Sequence, residues 1–168
     1  MPRALIVGCG CRGRALGRGL AGDGWSVRGT TRDPRHSDAI EAAGIEPRVA
    51  DPDRPATLLD LVADVTVIHW LLASARGDPG RLAAIHGPRL AALVERLVDT
   101  PVRGFVYEAA GTVPAKELRR GASIVRAASR TWRIPVEVVG ADPGDAAAWL
   151  EAMTAASRRL IDSTRRSG

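Results

Sequence analysis

The chain is poor in aromatic and sulfur-bearing side chains: its 168 residues include one tyrosine, one phenylalanine, two methionines and two cysteines. Cys9 and Cys11 stand one residue apart in a glycine-rich turn. That spacing is too short for an unstrained disulfide, and two ligands are too few for a zinc site, so both read as small side chains fitting a tight loop. Lysine is scarcer still, since Lys116 is the exception among 24 basic residues that are otherwise arginine. No apolar run reaches the roughly 18 residues that a membrane-crossing helix needs. The N-terminus passes from Met1-Pro2-Arg3 straight into strand-like Ala4-Leu5-Ile6-Val7, with no small-residue cleavage site. These absences predict no membrane span, no signal peptide and a cytoplasmic location. The net charge of +5 suits a polyanionic partner in principle. The arginines are scattered along the sequence, however, and no nucleic-acid-binding motif occurs, so no nucleic-acid partner is expected. Arg158-Arg159 and Arg165-Arg166 read as a solvated helix end.

What is present is a regular alternation of short apolar runs with longer helical patterns. Strands are predicted over residues 4–8, 26–31, 45–50, 65–72, 104–110 and 136–140. The third contains Pro47, which suits an edge or an irregular strand. Helices are predicted over 12–21, 37–43, 57–63, 81–98, 116–131 and 145–161, with Pro88 kinking the fourth or dividing it in two. Such alternation specifies a parallel sheet covered by helices on both faces. With no repeat, linker or low-complexity stretch, residues 1–168 read as one doubly wound Rossmann-type α/β domain.

Gly8-Cys9-Gly10-Cys11-Arg12-Gly13 is a GxGxxG loop that follows a predicted strand and opens a predicted helix. In that context Gly8 permits the tight turn, Gly10 lets the backbone approach a pyrophosphate, and Gly13 lets the helix pack closely on the strand. The N–H groups of Cys11 and Arg12 then belong to a helix start that favours an anion. About twenty residues on, sites selective for NAD carry an acid for the ribose 2′-hydroxyl, whereas NADP sites replace it and supply a cation. This chain reads Thr30-Thr31-Arg32-Asp33, with Thr30 at the expected acid position. Arg32 offers a planar fork suited to a 2′-phosphate. Asp33 is the competing acid, but its place before Pro34 reads as a turn residue. The expected cofactor is NADP, ahead of NAD.

From the glycine loop to Pro34 the sequence resembles the atypical and extended short-chain dehydrogenase/reductases, including their epimerase-like members. The resemblance covers about residues 3–140. Extended members usually carry GxxGxxG where this chain has GxGxxG. Val49-Ala50-Asp51-Pro52 resembles the third-strand segment whose aspartate contacts adenine, which implies that role for Asp51. Thr66 to Ala73 resembles the fourth-strand segment along the ribose and nicotinamide, which implies contacts from His69, Trp70 and Leu71. Arg103-Gly104-Phe105-Val106-Tyr107 resembles the fifth strand. The family's long helices also form a homodimer interface, so a homodimer is implied here.

The departures lie in the catalytic set. That family uses a serine and a Tyr-x-x-x-Lys pair, but Glu108-Ala109-Ala110 follows the fifth strand here and Gly111 stands four residues after Tyr107. Lys116 lies too far along to complete the pair. Tyr107 and Glu108, at the C-terminal end of a predicted strand, are the candidate catalytic residues, with Glu108 a general base if burial raises its pKa. The competing reading of the pair is that one of the two points into the core and the other into solvent. No Ser-His-Asp order or metal-ligand cluster appears. The expected function is therefore an oxidoreductase acting on a small molecule with NADP. The competing reading is a catalytically degenerate NADP-binding sensor or partner subunit.

Overall fold

The computed structural model describes residues 1–168. Strands β1 (Arg3–Val7), β2 (Ser26–Thr31), β3 (Glu46–Val49), β4 (Val67–Trp70), β5 (Gly104–Glu108) and β6 (Val136–Val139) form one sheet in the order β3-β2-β1-β4-β5-β6. Every neighbouring pair is parallel. The connections carry helices α1 (Cys11–Gly22), α2 (Ser37–Ala42), α3 (Pro55–Leu59), α4 (Pro79–Ile85), α5 (Pro88–Arg96) and α6 (Ala115–Trp132), and α7 (Ala146–Ser167) follows β6. This is the doubly wound Rossmann arrangement expected from the alternation. No helix is long and apolar enough to cross a membrane.

Successive side chains of a strand face opposite ways, and two separate cores result. Leu5 and Val7 of β1, Ile68 and Trp70 of β4, and Phe105 and Tyr107 of β5 join residues of α3, α4, α5 and α6 on one face. Ala4, Ile6, Val67 and Val106 join α1, α2 and α7 on the other, among them Leu16, Ile40, Trp149 and Met153. β1 is buried on both sides, which is why Ala4-Leu5-Ile6-Val7 is continuously apolar rather than alternating. β3 is the sheet edge, in keeping with Pro47 inside it. The long helix expected over 81–98 is divided, with α5 beginning at Pro88 after Gly87.

Candidate functional site

The chain lays down β1, β2 and β3 toward one edge, then returns to place β4 on the other side of β1. That reversal opens a crevice beyond the carboxyl ends of β1 and β4. A cleft of about 750 Å³ occupies it. Gly8 leaves β1 with φ 86°, and a Cβ there would lie 2.5 Å from the Leu71 carbonyl oxygen and 2.8 Å from Leu72 Cδ2. Only glycine lets the loop pass so close to the segment after β4. The Cys9 N–H donates to the Thr30 carbonyl at 3.0 Å, and the Gly8 N–H to Thr30 Oγ1 at 3.4 Å, which ties the loop to the end of β2. The Cys9 thiol is buried over Gly29 and pushed up to about 11 by that burial, so it packs rather than reacts.

α1 starts without a capping side chain and with no acid in its first turn. The N–H groups of Cys11, Arg12 and Gly13 therefore lack partners within the helix, and all three residues line the cleft. A helix start of this kind attracts an anion through its N–H groups and its dipole. The charged lining is lopsided: Arg12, Arg14, Arg32, Arg76 and Arg81 face a single carboxyl, that of Glu108. The Nε atoms of Arg12 and Arg81 are buried without a hydrogen-bond partner.

Thr30, Thr31 and Arg32 also line the cleft. Thr30 is buried, while Arg32 is exposed beyond the end of β2 and makes no hydrogen bond or ion pair. Asp33 stands outside the lining. Its carboxylate accepts the Arg35 backbone N–H at 2.9 Å and pairs with the Arg35 guanidinium at 2.6 Å. Those Arg35 bonds hold Asp33 down to about 2.

At the opposite end the alternation of β5 separates the two candidate catalytic residues. Glu108 turns toward α7 and lines the cleft, although it is only 1% exposed. Its Oε1 accepts the Ala73 N–H at 3.1 Å and its Oε2 accepts the Trp149 indole N–H at 2.9 Å. Burial raises its pKa above the ordinary carboxylate value, while those two donors and the charge of Arg12 pull the other way. The Arg12 guanidinium lies 6.0 Å from the centre of the Trp149 ring. Tyr107 turns to the other face, where its hydroxyl meets His86 Nδ1 at 2.7 Å. His86 Nε2 lies 2.9 Å from the Leu72 carbonyl, an acceptor only, so Nε2 carries the proton and Nδ1 accepts from Tyr107. Tyr107 does not line the cleft, and burial pushes its pKa up.

The remaining residues singled out in the sequence divide in the same way. Gly8, Gly10, Cys11, Arg12, Gly13 and Leu71 stand around the cleft. His69 and Trp70 are buried beneath it, His69 against Ser157 of α7 at 2.7 Å and Trp70 in the opposite core. The Asp51 carboxylate accepts the Asp53 N–H at 2.9 Å, and its neighbours Ala50 and Pro52 are the ones that line the cleft. Arg14, Arg76, Arg81 and Trp149 also line the cleft, though the sequence motifs did not mark them. Arg76 and Arg81 lie in a glycine- and proline-bearing stretch after β4, a signal of a ligand-facing loop. Trp149 carries no local signal, because in the sequence it is one more apolar residue of a helix.

No protein-family model and no curated protein matches the chain by sequence. Solved structures do resemble it. A conserved protein of unknown function from Silicibacter pomeroyi superposes with TM-score 0.60 at 24% identity, over 82% of this chain and 51% of the other. A short-chain dehydrogenase/reductase superfamily protein from Agrobacterium tumefaciens with bound NAD gives TM-score 0.65 at 20% identity, over 81% and 48%. A UDP-glucuronic acid 4-epimerase from Bacillus cereus in complex with NAD gives 0.65 at 14% identity, over 81% and 54%. The chain thus spans about half the length of the solved proteins it matches. Its fold is the Rossmann fold of short-chain dehydrogenase/reductase and epimerase structures.

Proposed function

We propose that this chain binds NADP and acts, as a short-chain dehydrogenase/reductase-like oxidoreductase, on a small molecule. The observation that carries the reading is the cleft itself, which joins an uncapped helix start on a glycine loop to five arginines against one carboxyl. The N–H groups of residues 11–13 suit a pyrophosphate. Arg32, unpaired at the end of β2, suits a further phosphate on the adenosine ribose. With Asp33 engaged by Arg35, no free carboxylate stands there to prefer a ribose hydroxyl. A nicotinamide dinucleotide supplies hydride transfer when bound. Glu108 is the one acid in the cleft. Burial raises its pKa above the ordinary carboxylate value, the direction that suits a carboxyl exchanging protons.

Fluorescence titration with NADPH and NADH tests the reading. Arg32→Ala is expected to weaken NADPH by about ten-fold or more, the loss of a charge-assisted contact, and to leave NADH nearly unchanged. Equal losses for both would remove the preference for NADP, and no binding of either would remove the dinucleotide. Turnover of a panel of small carbonyl compounds with NADPH, abolished in Glu108→Gln, separates an enzyme from a protein that only binds the cofactor.

A further inference from the structure

We propose that the outer face of α6, with the groove at its C-terminal end, docks an acidic protein segment that carries one apolar anchor side chain. The sequence scatters its arginines, but the fold gathers some of them. Lys116, Arg119, Arg120, Arg126 and Arg130 are all exposed on α6, and Arg133 closes the helix. Their spacing of three, four and seven residues puts them along one side of a helix roughly 27 Å long. The one acid of α6, Glu117, is largely buried, with 15% of its side chain exposed. None of the five arginine side chains forms an ion pair or hydrogen bond. On α7, by contrast, Arg158 pairs with Asp23 at 2.7 Å and Arg159 with Glu137 at 3.0 Å. Like charges three and four residues apart destabilise a helix by about 0.2–0.5 kcal/mol per pair. The one ion pair along the stripe is Lys116 with Glu117 at 4.0 Å.

Arg133, at the end of the stripe, borders a groove of about 240 Å³ lined also by Leu97, Val98, Val102, Trp132, Ile134 and Pro135, with Arg103 beside them. Trp132 and Val98 are 38% and 45% exposed, two of only four large hydrophobic side chains so displayed. Arginine and tryptophan are the residue types that dominate binding energy at protein interfaces. The pairing of a cationic stripe with an apolar groove selects the occupant. A nucleic-acid backbone would use the charge and leave the groove empty, and Trp132 alone offers too little stacking surface for bases. A second copy of this chain, the homodimer that the family resemblance implies, would set identical positive stripes against each other if it docked on this outer face. A carboxylate-rich segment with one leucine-like side chain satisfies both features.

The test uses the full chain and a fluorescein-labelled peptide of glutamates around a single central leucine, read by fluorescence anisotropy at moderate salt. Binding is expected to weaken about ten-fold or more in the Arg119→Gln/Arg126→Gln/Arg130→Gln variant and several-fold in Trp132→Ser. Replacing the peptide's leucine by serine should match the Trp132→Ser loss. These side chains are exposed, so circular dichroism and the unfolding midpoint should remain those of the parent. The NADPH titration should not change either. Unaltered peptide binding in the triple-arginine variant would overturn the proposal. So would duplex DNA of equal charge binding more tightly than the peptide, or a dimer in sedimentation that the triple substitution dissolves.

Discussion

Successive residues of a strand face opposite sides of the sheet, and at the end of β5 this gives two neighbours different chemistry. Glu108 reaches the cleft and α7, while Tyr107 is sealed against His86 and α6. Tyr107→Phe leaves His86 Nδ1 as a buried acceptor with no donor. The expected result is a loss of about 1–3 kcal/mol in urea unfolding, with NADPH affinity unchanged. An affinity loss in that variant would return Tyr107 to the ligand site. Gly121 of α6 is bound to the same pair, because a Cβ there would overlap the Tyr107 hydroxyl. Gly121→Ala is therefore expected to destabilise by about 1–3 kcal/mol through overpacking, although alanine favours a helix. The glycine loop and the Thr30-Thr31-Arg32 segment were legible in the sequence, because local geometry dictates their residue types. Which of Tyr107 and Glu108 faces the cleft was not, because facing depends on strand phase.

At the level of elements the pattern was readable where one rule dominates. Continuous burial marked β1 and β4, Pro47 marked the edge strand, and Pro88 marked the break between α4 and α5. Extents were less readable: the helix expected over 57–63 is α3 at Pro55–Leu59, and the one expected over 145–161 continues in α7 to Ser167. The contribution of α7 to the cleft was invisible, since it depends on which face of a distant helix lies over the end of β5. Trp149 makes that contribution through its indole N–H bond to Glu108 and its place beneath Arg12. Trp149→Phe keeps most of the shape and removes the donor. It should destabilise by about 1–3 kcal/mol and raise the Glu108 pKa further, which the pH profile of any NADPH-dependent turnover would report as a shift to higher pH. An unmoved profile would mean that Glu108 does not set it.

The whole molecule buries two histidines as neutral rings, and this sets its response to acid. Ser157 donates its hydroxyl to the Met153 carbonyl, so it accepts from His69 Nε2–H and leaves His69 Nδ1 without a partner. Burial depresses His69 from 6.5 to about 3 and lowers His86 as well. Below about pH 6.5 the unfolded chain takes up these protons more readily than the native one, so stability falls as pH falls, for His69 down to about pH 3. His69 contributes a slope of about 1.4 kcal/mol per pH unit once titration in the unfolded state is complete, and His86 adds to it in the same direction. Glu108 acts in the opposite sense, because its raised pKa keeps a proton in the native state that the unfolded chain releases above about 4.5. Between pH 4.5 and 6.5 the two histidines lower stability as pH falls, and Glu108 opposes that fall. Below 4.5 the Glu108 term vanishes and the fall steepens. The depressed Asp33 and Asp64 add to it in the same direction, weakened by solvent screening. Urea unfolding at a series of pH values reads this slope directly. His86→Gln should reduce it in the window between 4.5 and 6.5, leaving the slope that His69 supplies against Glu108. A slope left unchanged by His86→Gln would mean that this ring is not held neutral in the fold.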